Sequence, residues 1–320
     1  SAFETALRDA GGRASDTAST AEAHLVLADN QSQYLIVEEA RKGDDRQVWI
    51  AGWTRSAPAS VPGVIMEKRL LWEQTDPILD VVPNGNELVV LSPHSVTLRG
   101  ERGSQTAAVT SIRPWPRDLR GRLRLIPAGF KVHLPGVTCS GTFEPALTLD
   151  CRGIDEPWTL DALSRGVLLA NFAAARNYFD GRVVSPAGVR KTVPAFYTIA
   201  GIEDQGRTHW VATLVDGRTQ ILDAAFEPAG TVGPWGSDVA AVECRCAQLI
   251  STKPGDARDP DELRAWSIVN RAAVAVAPPI EMPGPVTALW SLSGAEAIAV
   301  VRDLSTGRYA AYLIKVVCGA

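Results

Sequence analysis

Beyond residue 22 the apolar positions recur at intervals of two, in short runs broken by turn-forming residues. Residues 286–318 show this most plainly: VTALW, a Ser-Gly turn, AIAVVRD, the tetrapeptide LSTG, then RYAAYLIKVVC. Three strand-like runs joined by two tight turns predict an antiparallel meander, because Ser, Asp and Gly suit chain reversal. The same unit recurs in diverged form. HLVLAD, QYLIVEEARK, RQVWIAGW and VIMEKRLLW make a first group, with a hairpin tip at Gly43-Asp44-Asp45. PILDVV, ELVVLS, VTLRG and TAAVTSIR make a second, reversed at Asn84-Gly85, the strongest hairpin signal in the chain. RGRLRLIP to ALTLDC is a third. A blurred fourth is reversed at Asp180-Gly181, and a fifth turns at Asp216-Gly217. A sixth spans DVAAVECRC to AAVAVAP, and the opening example is the seventh.

Seven units of roughly 35–45 residues match propeller blades. The fold expected is an all-β, seven-bladed β-propeller, with six or eight blades as neighbouring counts. Blade sheets are covered on both faces, which accounts for runs that are apolar throughout. A closed ring also removes free sheet edges if its first and last blades meet. The rival is a pair of β-sandwiches joined near Asp161, but ALSRG there has no linker composition. Before the strands, residues 3–10 carry Phe3, Ala6, Leu7 and Ala10 on one helical stripe, stopped by Gly11-Gly12. The domain expectation is therefore a helix and surface segment over 1–22, then a propeller over 23–320.

Composition narrows the function classes. The chain has 320 residues, 46% of them hydrophobic, enough for a large core. A net charge of −4 gives no general attraction to nucleic acid. No apolar run approaches the roughly 18–20 residues that span a bilayer. Five cysteines bear on the compartment. Cys139 and Cys151 flank a short hairpin and are expected to pair. Cys244 and Cys246 share a strand face; one of them, assigned as Cys246, is expected to reach Cys318. Disulfides persist outside the cytosol, so the expected location is the periplasm, cell surface or extracellular space. On that reading a signal peptide has already been removed and Ser1 is a processed terminus.

The stretch most able to carry chemistry is residues 113–124, RPWPRDLRGRLR. Its prolines hold the start extended. Arg113, Arg117, Arg120 and Arg122, with Asp118 and the Trp115 platform, suit an anionic group such as a carboxylate, phosphate or acidic glycan. The structural alternative is that these arginines bond neighbouring blades. Arg176 and Asn177 form a second candidate at a blade tip. Asp80, Asp118, Asp180 and Asp238 occupy comparable places in different units, from which a central funnel gathers carboxylates. Trp235-Gly236-Ser237-Asp238 reads as a turn before a blade, with Asp238 capping main-chain donors. Asp303 to Tyr309 resembles the D-x-x-T-G turn of Trp-docked propellers, including quinone-dependent dehydrogenases, and turn chemistry alone explains it. His24, His94, His133 and His209 lie far apart, no two at metal-ligand spacing. No nucleophile elbow, zincin helix, Walker loop or dinucleotide fingerprint is present. No cofactor, metal or catalytic residue is expected.

PILDVV, WPRDLRGRL, ARNYFDG, WGSDVA, VTALW and DLSTGRYAAY…C resemble uncharacterised exported bacterial propellers of the FG-GAP/VCBS-like type, acidobacterial examples among them, over residues 70–318. The resemblance implies a secreted or envelope-associated ring and transfers no activity. The acidic calcium loops of some such relatives are missing here. Three functions follow as expectations: a non-enzymatic binding scaffold for a protein or anionic glycan partner in the envelope, a subunit of a larger envelope assembly, or a hydrolase or lyase acting on an anionic sugar. The last requires Arg117, Arg120 and Arg122 to converge on a concave pocket.

Overall fold

The computed structural model describes residues 22–29, 33–54, 64–101, 103–110, 114–116, 118–161, 166–244, 247–255 and 258–318. The helix expected over 3–10 lies outside them. The chain forms two compact units, residues 1–59 and 60–320.

In the first unit β1 (Glu22–Asp29), β2 (Gln33–Lys42) and β3 (Asp45–Thr54) make an antiparallel three-stranded meander, tipped at Gly43-Asp44 as the pattern predicts. Leu25, Val26, Val48, Trp49 and Ile50 are exposed on it. These are three of the four strands assigned to a first blade. The fourth, β4 (Val64–Gln74), pairs instead with the last strand of the chain.

The second unit is a succession of four-strand antiparallel sets. Blade 1 is β5 (Asp80–Asn84), β6 (Glu87–Ser92), β7 (Ser95–Gly100) and β8 (Gly103–Ala108). Blade 2 is β9 (Arg122–Ile126), β10 (Gly129–Leu134), β11 (Val137–Thr142) and β12 (Thr148–Arg152). Blade 3 is β13 (Trp158–Asp161), β14 (Val167–Phe172), β15 (Phe179–Val184) and β16 (Arg190–Thr192). Blade 4 is β17 (Phe196–Asp204), β18 (Arg207–Leu214), β19 (Thr219–Asp223) and β20 (Pro228–Val232), bridged to blade 3 at Phe179–Phe196. Blade 5 is β21 (Val239–Cys244), β22 (Ala247–Thr252), β23 (Glu262–Val269) and β24 (Ala272–Ala275), with the short β25 (Ile280–Glu281) on β23. Blade 6 is β26 (Val286–Ser291), β27 (Glu296–Arg302) and β28 (Tyr309–Cys318), completed by β4.

Inner strands of successive blades lie side by side: β5 with β9, β17 with β21, and β21 with β26. His133 of blade 2 stacks on Trp158 of blade 3. β27 meets β5, which returns the sequence of blades to its start. The unit is a β-propeller, and β4 fastens its last blade with a strand from the beginning of the ring. The seven units read from sequence thus become, among the described residues, six four-strand blades and the separate β1–β3 sheet.

Burial follows radius. β18 and β27 are buried along most of their length, whereas β8 and β16 are exposed. Inner strands are covered by neighbouring blades on both faces, so RTHWVATL and EAIAVVR need not alternate. The apolar clusters fill the seams between blades; Phe130, Leu123 and Leu91 share one, Ile250, Leu289 and Ile314 another.

Two local assignments change. Asp180-Gly181 is not a reversal but lies within β15; Gly181 has φ +93°, and the Val193 carbonyl sits where a Cβ would stand. The cysteines pair as Cys139–Cys151, directly opposite in β11 and β12, and as Cys244–Cys318. The expectation of Cys246 for the second bond is corrected: the register carries Cys244, at the end of β21, to the end of β28, and Cys246 lies outside the described residues. This bond ties blade 5 to blade 6 where Cys318 faces Val64 of β4.

Candidate functional site

The arginine-rich stretch leads into β9 along the inside of the ring. Gly121 lets it pass there: a Cβ at that position would meet Leu134 and Leu91 at 2.9 Å. Arg120 and Arg122, on either side of it, are both buried, at 9% and 5% exposure. Arg120 forks onto Asp238 of blade 5, on the opposite side of the ring, with Nη1–Oδ1 3.1 Å and Nη2–Oδ2 2.9 Å. The Ser237 hydroxyl donates to the same carboxylate, and the Tyr197 ring of blade 4 lies 5.8 Å from the guanidinium. Arg122 donates to Asp80 Oδ2 of blade 1 at 2.8 Å and stands 4.9 Å from the Trp290 ring of blade 6. Asp80 also accepts from the main-chain N–H of Leu123 at 2.7 Å and of Val81 at 2.8 Å. Burial pushes the Asp80 carboxyl up, against the pull of Arg122 and these donors.

Two arginines of blade 2 therefore bind four other blades across the axis. These contacts match the structural alternative, in which the arginines bond neighbouring blades: Arg120 is forked onto a buried carboxylate and Arg122 is bonded to another. Asp80 and Asp238 are likewise bonded to these arginines, so two of the four carboxylates expected in a central funnel are structural anions. Asp238 is not a cap of main-chain donors but the partner of Arg120. Asp180 is bound to the neighbouring Arg182 on the surface.

At one rim of the ring lies a cavity of about 870 Å³. Its wall is made by the segments that precede inner strands and by the turns between second and third strands. Of the residues expected at a site, Trp115, Asp118, Asn177 and the edge of Arg120 line it. Arg176 is exposed and does not, Arg122 is interior, and Arg113 and Arg117 lie outside the described residues. The structure adds His94, Tyr197, Arg218, Lys253, Asp259 and Asp261, with Arg302 and Tyr309 beyond them. The shared signal was position in the repeat: His94, Arg218, Lys253 and Tyr309 all flank a second-to-third strand turn.

Trp115 is held by an Nε1–H bond to His94 Nδ1 at 3.4 Å. Asp261 anchors the wall, accepting from the N–H groups of Glu262 at 2.8 Å, Lys253 at 3.1 Å and Val286 at 3.4 Å. Burial pushes its carboxyl up despite these donors, and the nearby Asp238 charge adds to the rise. Arg218 is paired with Asp216 at 2.7 Å. Asp303, in the D-x-x-T-G turn, accepts from Ser305 and Thr306, which hold its carboxyl low; this is turn chemistry. Away from the pocket, His133 is buried, and among the described residues neither ring nitrogen has a hydrogen-bond partner. Burial, with Lys131, Arg122 and Arg124 around it, lowers its pKa to about 4. Among the described residues no cluster of His, Cys, Asp or Glu is placed to hold a metal ion, and no helix is long and apolar enough to cross a membrane.

No family model and no curated protein matches this chain. Among solved structures it is similar to the WD40 domain of Pan2 from Neurospora crassa, at 10% identity over 90% of this chain and 87% of that one, TM-score 0.43. It is similar also to a DUF4623 family protein from Bacteroides eggerthii, at 9% identity over 92% and 86%, TM-score 0.41. The Dos1 propeller matches at 11% identity over 87% and 88%, TM-score 0.39. The ring itself is established by the strand pairings, independently of these likenesses.

Proposed function

We propose that the ring is a non-enzymatic, exported binding scaffold whose pocketed rim meets a protein or glycan partner. The observation that carries this reading is a division of labour. Interior charges are committed to each other, while the rim gathers aromatic and charged side chains around a cavity, several of them with no ion-pair partner among the described residues. Trp, Tyr and Arg, the residue types that dominate binding hot spots, are all present there. Two disulfides support an oxidising compartment and hence export, in keeping with the FG-GAP/VCBS-like resemblance. The hydrolase or lyase reading loses its anion fork with Arg120 and Arg122. Assembly into a larger envelope structure is favoured by one feature, the exposed Val48, Trp49 and Ile50 of β3.

Affinity capture from envelope extracts tests the main reading. Wild type is expected to retain a partner that the Trp115→Ala/Tyr309→Ala variant loses. Gln205→Ala, at the opposite rim where Gln205 bonds Asn270, is expected to keep it. Equal retention by all three proteins would remove the rim from the argument.

A further inference from the structure

The side chains around the cavity allow the ligand class to be narrowed, on the premise that this rim is the recognition surface. Its cations do not make a dedicated anion site: Arg120 is paired with Asp238 and Arg218 with Asp216, and Asp118 and Asp259 line the same cavity as the remaining two, Lys253 and Arg302. Its acids do not make a cation site either, because Lys253 and Arg302 line the same cavity and form no ion pair among the described residues. Asp118 and Asp259 are exposed there, and Asn177 offers an amide. Acceptors and donors are thus mixed, with no dominant sign. Hydroxyl groups, which donate and accept at once, are served by such a mixture.

Three aromatic side chains, Trp115, Tyr197 and Tyr309, stand half-buried in the wall. Trp115 is bonded to His94, and the Tyr197 ring lies 5.8 Å from the Arg120 guanidinium and 6.4 Å, edge-on, from the Tyr178 ring. Held rings are flat apolar platforms with little rotamer freedom left to lose. The main chain of the rim argues against strand addition by a peptide. Pro77, Pro93, Pro116, Pro254, Pro260 and Pro285 all line the cavity, and none has the N–H that pairing requires. The volume of about 870 Å³ lies within the roughly 300–1,000 Å³ of small-ligand sites.

We propose that the rim pocket binds an uncharged oligosaccharide, its sugar faces stacked on Trp115 and Tyr309 and its hydroxyls bonded to Asp118, Asn177, Asp259, Lys253 and Arg302. This replaces the acidic glycan expected from the arginine count with a neutral one.

Calorimetric titration of the whole chain with cellotetraose, maltotetraose and chitotetraose, and with tetragalacturonate as the anionic counterpart, tests it. At least one neutral sugar is expected to bind saturably, with little change in affinity between about 0.05 and 0.5 M salt, since no net charge is neutralised. Tyr309→Ala is expected to weaken that binding about threefold to tenfold, the range for loss of an aromatic contact. Asp118→Asn, a surface change that leaves the fold intact, is expected to weaken it as well, and Gln205→Ala to leave it unchanged. Binding of tetragalacturonate alone, no binding by any neutral sugar, or neutral binding indifferent to Tyr309→Ala and Asp118→Asn would each overturn the proposal. Rim-dependent capture of a protein without sugar binding would overturn it while leaving the rim as the recognition surface; capture indifferent to the rim would overturn both.

Discussion

The axis and the rim of the ring are built from the same short stretch of chain, and they use charge in opposite ways. Asp118 is exposed at the rim and makes no ion pair among the described residues; Arg120 and Arg122, two and four residues later, are buried and paired with Asp238 and Asp80. Residue type does not separate them. What does is desolvation: a guanidinium removed from water must recover its hydration energy from a fixed partner, and one left in water need not. The arginines that look most like a ligand fork are consequently the ones least available to a ligand.

The largest expected effect follows from breaking an axial pair. Asp80→Ala strands Arg122 and two main-chain donors in the interior, and is expected to cost about 3–5 kcal/mol, read as a lower urea midpoint at unchanged slope. Replacing both members, Arg122→Met with Asp80→Leu, is expected to recover much of that loss, because the cost lies in the orphaned charge and not in the missing attraction. A double variant as unstable as Asp80→Ala would show that the axis depends on the ion pair itself.

The disulfides extend the contrast to the ring's closure. The Cys244–Cys318 bond closes a separation of 74 residues, Cys139–Cys151 one of 12. Loop-closure entropy makes the longer loop worth about 1.5 kcal/mol more within a typical range of about 2–4 kcal/mol. Cys244→Ser is therefore expected to lower the urea midpoint more than Cys139→Ser. The reverse order would mean that the blade 2 hairpin, and not the blade 5 to blade 6 junction, limits stability.

Repetition was legible in the sequence and closure was not. Asn84-Gly85 and Asp216-Gly217 mark real reversals, and the strands around them fall close to their expected bounds. A strand's alternation, however, says nothing about its partner. VIMEKRLLW reads as the neighbour of RQVWIAGW, yet it hydrogen-bonds a strand some 240 residues later, and that one pairing takes the fourth strand from the first group and gives it to the last. Asp180-Gly181 misled because a glycine needed for close approach inside a strand has the same local signature as one needed for a turn. Among the residues that line the cavity, Trp115, Asp118 and Asn177 stand out in the sequence because their stretches are unusual in composition. Tyr197, Lys253 and Tyr309 were passed over because each looks like ordinary strand or turn material until the ring gathers them.

His133 sharpens the same point at a neutral group. It faces Arg122 across β9 and β10, with Thr138 on its other side and Trp158 stacked against it at 6.1 Å between ring centroids. The fold lowers its pKa to about 4 from the ordinary 6.5 of a solvated histidine, so the folded protein binds fewer protons than the unfolded chain between those values. Stability from this residue is complete above pH 6.5 and is lost as pH falls towards 4. The slope reaches about 1.4 kcal/mol per pH unit, and the sum is roughly 3 kcal/mol. His133→Phe keeps an aromatic stack without the titration. Its stability curve is expected to be flatter than wild type over that window, with the two curves parallel above it. Coincident curves would place the proton elsewhere.

The smallest effect is the one that separates rim from axis most sharply. Asp118→Asn changes a charge as surely as Asp80→Ala does, within the same inner region of the repeat. It is nevertheless expected to move folding stability by less than about 0.5 kcal/mol, as exposed substitutions do away from special contacts. The reason is that water solvates the Asp118 carboxylate in the folded and unfolded chain alike, so the fold gains nothing from it. Its retention of full stability, measured by the same urea titration as Asp80→Ala, would leave binding as the property in which the substitution registers. A loss comparable to that of Asp80→Ala would mean that Asp118 is held by a structural partner, and the division between a committed interior and an available rim would have to be redrawn.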